Sequence, residues 1–209
     1  MLLAKNADVN AQDGVYGNAL HAASSKGHEK VVKMLLAKNA DVNAQGGEYG
    51  NALHAASWQG QEKVVEMLLA KNADVNAQDE EYGNALYAAS WQGQEKVVEM
   101  LLAKNADVNA QDEEYGNALY AASWQGQEKV VEMLLAKNAD VNAQDEEYGN
   151  ALYAASWQGQ EKVVEMLLAK NADVNAQDEE YGNALYVASL QGHEKVVEML
   201  LAKNADVNA

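Results

Sequence analysis

The side chains capable of chemistry are few in kind and repeated in place. The imidazoles are His21, His28, His54 and His193, and no two stand at a metal-ligand spacing. His28 and His193 each follow a helix-breaking glycine, where the expected role is a helix cap. Serine is frequent, but none sits in a Gly-x-Ser-x-Gly elbow, and no glycine loop could cradle a phosphate. The run Asp79-Glu80-Glu81 could attract a cation, yet it lacks the Asp-Asn-Gly-Glu order of a calcium loop. Carboxylate pairs recur along the chain, whereas a catalytic pair must be singular in its surroundings. Cysteine is absent, which removes disulfides, thiolate zinc sites and thiol nucleophiles. The residues predict no catalysis, no cofactor and no metal.

Recognition chemistry is better represented. Trp58, Trp91, Trp124 and Trp157 are each followed by a glutamine, Gln59, Gln92, Gln125 and Gln158. Tyr87, Tyr120 and Tyr153 stand four residues before Trp91, Trp124 and Trp157, so on a helix each ring pair shares one face. Trp and Tyr are the usual anchors of binding hot spots, and an exposed apolar ladder is rare without purpose. The pairs Glu80 and Glu81, Glu113 and Glu114, and Glu146 and Glu147 fall at loop tips and would rim such a face. These residues form the predicted partner-binding set. The competing arrangement packs each indole on the neighbouring copy, half buried.

Charge narrows the partners. The chain has 32 acidic residues against 15 basic ones, all Lys, for a formal charge of −17. Such a surface repels phosphate backbones and anionic lipid, so neither nucleic acid nor membrane is an expected partner. An aromatic ladder that stacks single-stranded bases needs a basic groove, and this one is predicted to be acidic. A protein or peptide ligand is expected, with basic segments favoured. No apolar run is long enough to span a membrane, and no signal peptide opens the chain, so it reads as cytoplasmic.

Everything named so far recurs at one interval. Tyr16, Tyr49, Tyr82, Tyr115, Tyr148 and Tyr181 are 33 residues apart. Six whole units span residues 8–40, 41–73, 74–106, 107–139, 140–172 and 173–205. Residues 1–7 match the tail of a unit and 206–209 the start of one, so the whole of 1–209 reads as a single array. In the unit 107–139, Asn117 caps a helix predicted over 118–124, and Gly126 stops it in the left-handed conformation. A second helix is predicted from Gln127 to about Lys137, with Glu128 in its first turn and Lys137 in its last complementing the dipole. Asn138 can take the left-handed stop that glycine often supplies, and residues 140–149 favour a turn or short hairpin. Val130, Val131, Met133, Leu134 and Leu135 give the second helix one broad apolar face. A lone helix pair has too little core, so the units must stack. Small residues in the first helices predict a stack curved with those helices inside. The expected class is an all-α solenoid of helix-turn-helix units joined by β-turn or hairpin loops.

The unit, with its G-[HQ]-E-K-V-V-x-M-L-L and A-D-V-N-A-Q runs, resembles the ankyrin repeat over essentially the whole chain. It departs from the usual Thr-Pro-Leu-His: here stand Asn18-Ala19-Leu20-His21 and Asn84-Ala85-Leu86-Tyr87. The G-N-A-L-x-A-A-S variant in near-identical copies is similar to the ankyrin arrays of fungal NOD-like (NACHT) receptors. That resemblance implies the sensor region of a larger receptor, with a role in innate immunity. The ankyrin resemblance implies partner reading by the first-helix face and loop tips. It also implies a structural hydrogen-bonding role for His21 and His54, and hence a structural lean for the tyrosines in their column. The rival reading is a structural spacer or consensus-like synthetic scaffold whose only partner is its own copies.

Charge is polarised along the array. Residues 8–40 hold four Lys against three acids, and each unit from residue 74 onward holds two Lys against six acids. No capping repeat is visible, so apolar residues such as Leu2, Leu3, Leu200 and Leu201 are expected at the terminal faces, favouring head-to-tail self-association.

Overall fold

A computed structural model describes residues 8–13, 17–47, 50–79, 83–112, 116–145, 149–178 and 182–207. Each repeat turns its sequence into the same elements for the same local reasons. In residues 107–139, Asn117 is extended and its Oδ1 accepts from the Tyr120 N–H at 2.9 Å, starting a helix over Ala118–Gln125. Gly126, at φ 70°, stops it. The second helix occupies Glu128–Ala136, one residue inside the predicted span at each end, so Lys137 is its C-cap rather than part of its last turn. Asn138 then reverses the chain at φ 63° without the help of glycine.

In chain order the elements are β1 (Gln12–Asp13), β2 (Gly17–Asn18), α1 (Ala19–Ser25), α2 (Glu29–Ala37), α3 (Ala52–Trp58), α4 (Glu62–Ala70), β3 (Gln78–Asp79), β4 (Gly83–Asn84), α5 (Ala85–Trp91), α6 (Glu95–Ala103), β5 (Gln111–Asp112), β6 (Gly116–Asn117), α7 (Ala118–Gln125), α8 (Glu128–Ala136), β7 (Gln144–Asp145), β8 (Gly149–Asn150), α9 (Ala151–Gln158), α10 (Glu161–Ala169), β9 (Gln177–Asp178), β10 (Gly182–Asn183), α11 (Ala184–Gln191) and α12 (Glu194–Ala202). The strands form antiparallel two-residue hairpins, as in Gln111 opposite Asn117 and Asp112 opposite Gly116. In residues 41–73, where Gly46-Gly47 replaces Asp-Glu, a turn closed by Gly46 N–H to Gly50 O at 2.8 Å takes the place of a hairpin among the described residues.

The chain divides into two compact units, Met1–Asp107 and Val108–Ala209. In the first, α1 packs on α3 and α3 on α5; in the second, α7 packs on α9 and α9 on α11. Every first helix also packs on the second helix of its own repeat. The core of the second unit is Leu119, Val131, Leu134, Leu152, Val164 and Leu167, each buried, and each worth about 1.5–3 kcal/mol of apolar transfer. Alanines such as Ala121 and Ala122 are buried where the first helices meet. Leu200 is buried as well, contrary to the expectation of exposure, because it points into its own repeat; Leu201 is the exposed one. Leu2 and Leu3 lie outside the described residues.

An asparagine ladder ties successive repeats. Within the first unit Asn10, Asn43 and Asn76 accept at Oδ1 from the N–H of Asp41, Asp74 and Asp107, each at 2.8 Å. Within the second, Asn109, Asn142 and Asn175 accept from Asp140, Asp173 and Asp206, also at 2.8 Å. The repeated Asp-Val-Asn is thus a coupling device, since each carboxamide satisfies a main-chain donor of the next repeat. No helix of the described residues is long and apolar enough to cross a membrane.

Candidate functional site

The first helices carry the aromatic residues, and the hairpin return strands set where those helices begin. Asn84, Asn117 and Asn150 fix the first turn, which places Tyr87, Tyr120 and Tyr153 over the glycine of the strand and the indole one turn further on. Tyr87 lies 6.0 Å from Trp91, Tyr120 6.0 Å from Trp124 and Tyr153 5.9 Å from Trp157, centroid to centroid. His54 holds the same relation to Trp58 at 6.3 Å. In the second unit Trp124 and Trp157 stack on each other, 6.2 Å apart with planes 23° from parallel.

The rings differ in access. Tyr87, Tyr120 and Tyr153 are buried, whereas Tyr186, followed by Val187 and Leu190 where the others have Ala and Trp, is 56% exposed. Tyr153, at 6%, has α11 packed over its helix and Trp157 beside it, whereas Tyr186 has Leu190 in place of the indole, so this column is packing within and between repeats. Trp58, Trp91, Trp124 and Trp157 are half-buried: each keeps part of its indole at the surface. Gln59, Gln92, Gln125 and Gln158 beside them are exposed. The structure therefore brings indole and glutamine together at the surface and puts tyrosine beneath. Glu80, Glu81, Glu113, Glu114, Glu146 and Glu147 lie outside the described residues.

The histidines divide in the same way. His21 is buried; its Nε2 lies 2.9 Å from the Ala44 carbonyl, and its Nδ1 accepts from the Asn18 N–H at 3.4 Å. Burial pushes its pKa below the ordinary 6.5, partly offset by the carbonyls of Ala44 and Gly46. His28 and His193 occupy cap positions but make no side-chain cap. His193 instead reaches back to the Trp157 carbonyl of the preceding repeat, 2.9 Å from Nε2. Gln160 does the same to the Trp124 carbonyl at 3.5 Å, and Gln61 to the Ser25 carbonyl at 3.4 Å. This column was missed by sequence reasoning, although one signal was present: in all six repeats the residue after the glycine is Gln or His, two side chains that share an N–H donor. Among the described residues, no three of His, Asp and Glu converge to hold a metal ion.

The arrangement is a repeated surface with packing beneath it and no reacting group singled out. A family model for ankyrin repeats matches residues 1–79, 86–178 and 119–209. The structure is similar to the crystal structure of the human ASB11 ankyrin repeat domain, with a TM-score of 0.82 and 24% identity. That similarity covers 92% of this chain and 86% of the other. No curated protein matches the chain. Ankyrin repeats are in general protein–protein interaction modules. Helix pair, hairpin, repeat length and matched sequence agree: the chain belongs to the ankyrin-repeat family.

Proposed function

We propose that the chain is a recognition module in which Trp58, Trp91, Trp124 and Trp157, with Gln59, Gln92, Gln125 and Gln158, read a protein or peptide segment. The observation that carries this reading is the half-burial of the indoles on a packed base, His54 under Trp58 and tyrosine under the other three. Such a ring is held in one orientation before a ligand arrives, so little side-chain freedom is lost on binding. The exposed glutamines supply donors and acceptors beside an apolar anchor, the usual make-up of a hot spot. The formal charge of −17 favours a basic segment, and Glu80, Glu81, Glu113, Glu114, Glu146 and Glu147 are proposed as its acidic rim. Tyr87, Tyr120 and Tyr153 act through the indoles that they support. In a larger receptor this would be the sensor region.

The test is selection of binders from a random displayed peptide library, followed by affinity measurement on the parent chain and on Trp91→Ala/Trp124→Ala/Trp157→Ala. The expected result is enrichment of basic peptides and a loss of about a hundredfold or more in the triple variant, provided its circular dichroism matches the parent. Unchanged affinity in a folded triple variant would remove the indoles from the site. No enrichment at all would favour the spacer reading.

A further inference from the structure

Residues 74–106, 107–139 and 140–172 are identical in sequence, so the candidate site is present three times with the same chemistry. The structure keeps the copies alike. Tyr87, Tyr120 and Tyr153 are buried, their helices begin on the same asparagine cap, and Trp91, Trp124 and Trp157 are half-buried beside an exposed glutamine. In the second unit Trp124 and Trp157 stand 6.2 Å apart, with planes 23° from parallel. A ligand of varied sequence would offer each copy a different side chain, and at most one could be the best match. Identical sites at a fixed step are filled together only by a segment that repeats its own chemistry at that step.

The step identifies the conformation. Two residues of an extended strand advance about 6.4–6.8 Å and return to the same face. One turn of polyproline helix advances about 9.3 Å, which overshoots the next ring. Four residues of an α-helix advance about 6 Å, but a helix has already paired its own main chain. Gln125 and Gln158 are exposed next to the indoles, one per step, and a carboxamide can both donate to and accept from the open main chain of a strand. The ligand's side chain must suit both a chain of formal charge −17 and an indole. Arginine suits both, since its planar guanidinium stacks on an aromatic ring and keeps its charge, whereas lysine brings a point charge. Resting on the recognition reading above, we propose that the segment read in the second unit is an extended strand with arginine at every second residue, successive arginines seated on Trp124 and Trp157.

Fluorescence anisotropy of labelled peptides on the parent chain, at moderate salt, tests this. The peptides have equal length and arginine content and place arginine at every second, every third or every fourth position. Their charge is the same, so general attraction to the acidic chain is the same for all. The alternating peptide should bind about tenfold or more tighter than the other two and than its own lysine counterpart. Trp124→Ala and Trp157→Ala, each with the parent's circular dichroism, should each cost that peptide about tenfold. Gln125→Ala/Gln158→Ala, which alters exposed side chains only, should weaken it about threefold or more. Equal or tighter binding of any comparison peptide to the parent overturns the proposal, and so does a loss confined to one of the two indole variants or no loss in the glutamine variant. Peptides selected from the random library that depend on the indoles but lack the alternation overturn it and leave the recognition reading intact. Alternating peptides that bind Trp91→Ala/Trp124→Ala/Trp157→Ala as tightly as the parent remove both.

Discussion

At the scale of single residues, the first repeat contains a group whose protonation the fold resists. His21 is held neutral, with Nε2–H directed at the Ala44 carbonyl and Nδ1 filled by the Asn18 N–H. Protonation places a charge in a buried site, which is why the pKa falls below 6.5 although the Ala44 and Gly46 carbonyls oppose the shift. A histidine with a lowered folded pKa leaves stability intact above the unfolded value. Stability is then lost as pH falls from about 6.5 toward the folded value, because the unfolded chain takes the proton first. Urea midpoints between pH 7 and pH 5 should therefore fall in the parent and fall less in His21→Tyr, the residue that Tyr87, Tyr120 and Tyr153 show this column accepts. Equal slopes in the two proteins would mean that His21 does not titrate with unfolding.

At the scale of elements, the turn between paired helices does two jobs, and two glycines separate them. Gly126 and Gly192 share the left-handed conformation, at φ 70° and 75°. A methyl group at Gly126 would also strike Gln160 of the next repeat, with its Cδ 2.5 Å away, whereas at Gly192 it meets nothing within 4 Å. Gly192→Ala should cost about 1 kcal/mol of unfolding free energy, the backbone term alone. Gly126→Ala should cost about 2 kcal/mol or more, since Gln160 must also leave the Trp124 carbonyl. Denaturant titration of the two variants checks the difference; equal losses would show that Gln160 yields without cost. The same pair shows what the sequence made legible. The helix stop at Gly126 and the cap at Asn117 follow from residues within one repeat and are found, as is the apolar face, where Val130, Val131, Leu134 and Leu135 are buried and Met133 is half-buried. The partners of His193 and Gln160 and the burial of Tyr120 depend on residues one repeat away, which local periodicity does not weigh. The indoles fall between these cases: their shared face with tyrosine was readable from i,i+4 spacing, and half-burial against the neighbouring copy was one of two arrangements the residues left open, since the choice depends on the next repeat.

At the scale of the whole molecule, a solenoid stability is a sum over repeats and over contacts between neighbours, and near-identical repeats let the second term be isolated. Helices α10 and α12 have the same nine residues, Glu-Lys-Val-Val-Glu-Met-Leu-Leu-Ala. Their propensities are identical, and the intrinsic exchange chemistry of their interior amides is closely matched. Their surroundings differ: Leu168 is 7% exposed and its counterpart Leu201 is 44% exposed. Opening α10 breaks contacts with α8 and with α12, whereas opening α12 breaks only the contact with α10 among the second helices of the described residues. Local opening should therefore be easier at the sixth repeat. The amides of residues 199–202 should exchange about tenfold or more faster than those of 166–169, the ratio that corresponds to about 1.4 kcal/mol of neighbour contact. Native-state hydrogen exchange read by mass spectrometry can resolve this, because the peptides flanking the two helices differ at Gln160 and His193. The measurement belongs at low protein concentration, where contact between molecules does not contribute to protection. Equal protection under those conditions would place the stability of α12 within its own repeat, and the ladder from Asn142 to Asp173 and from Asn175 to Asp206 would then be geometry without appreciable coupling energy.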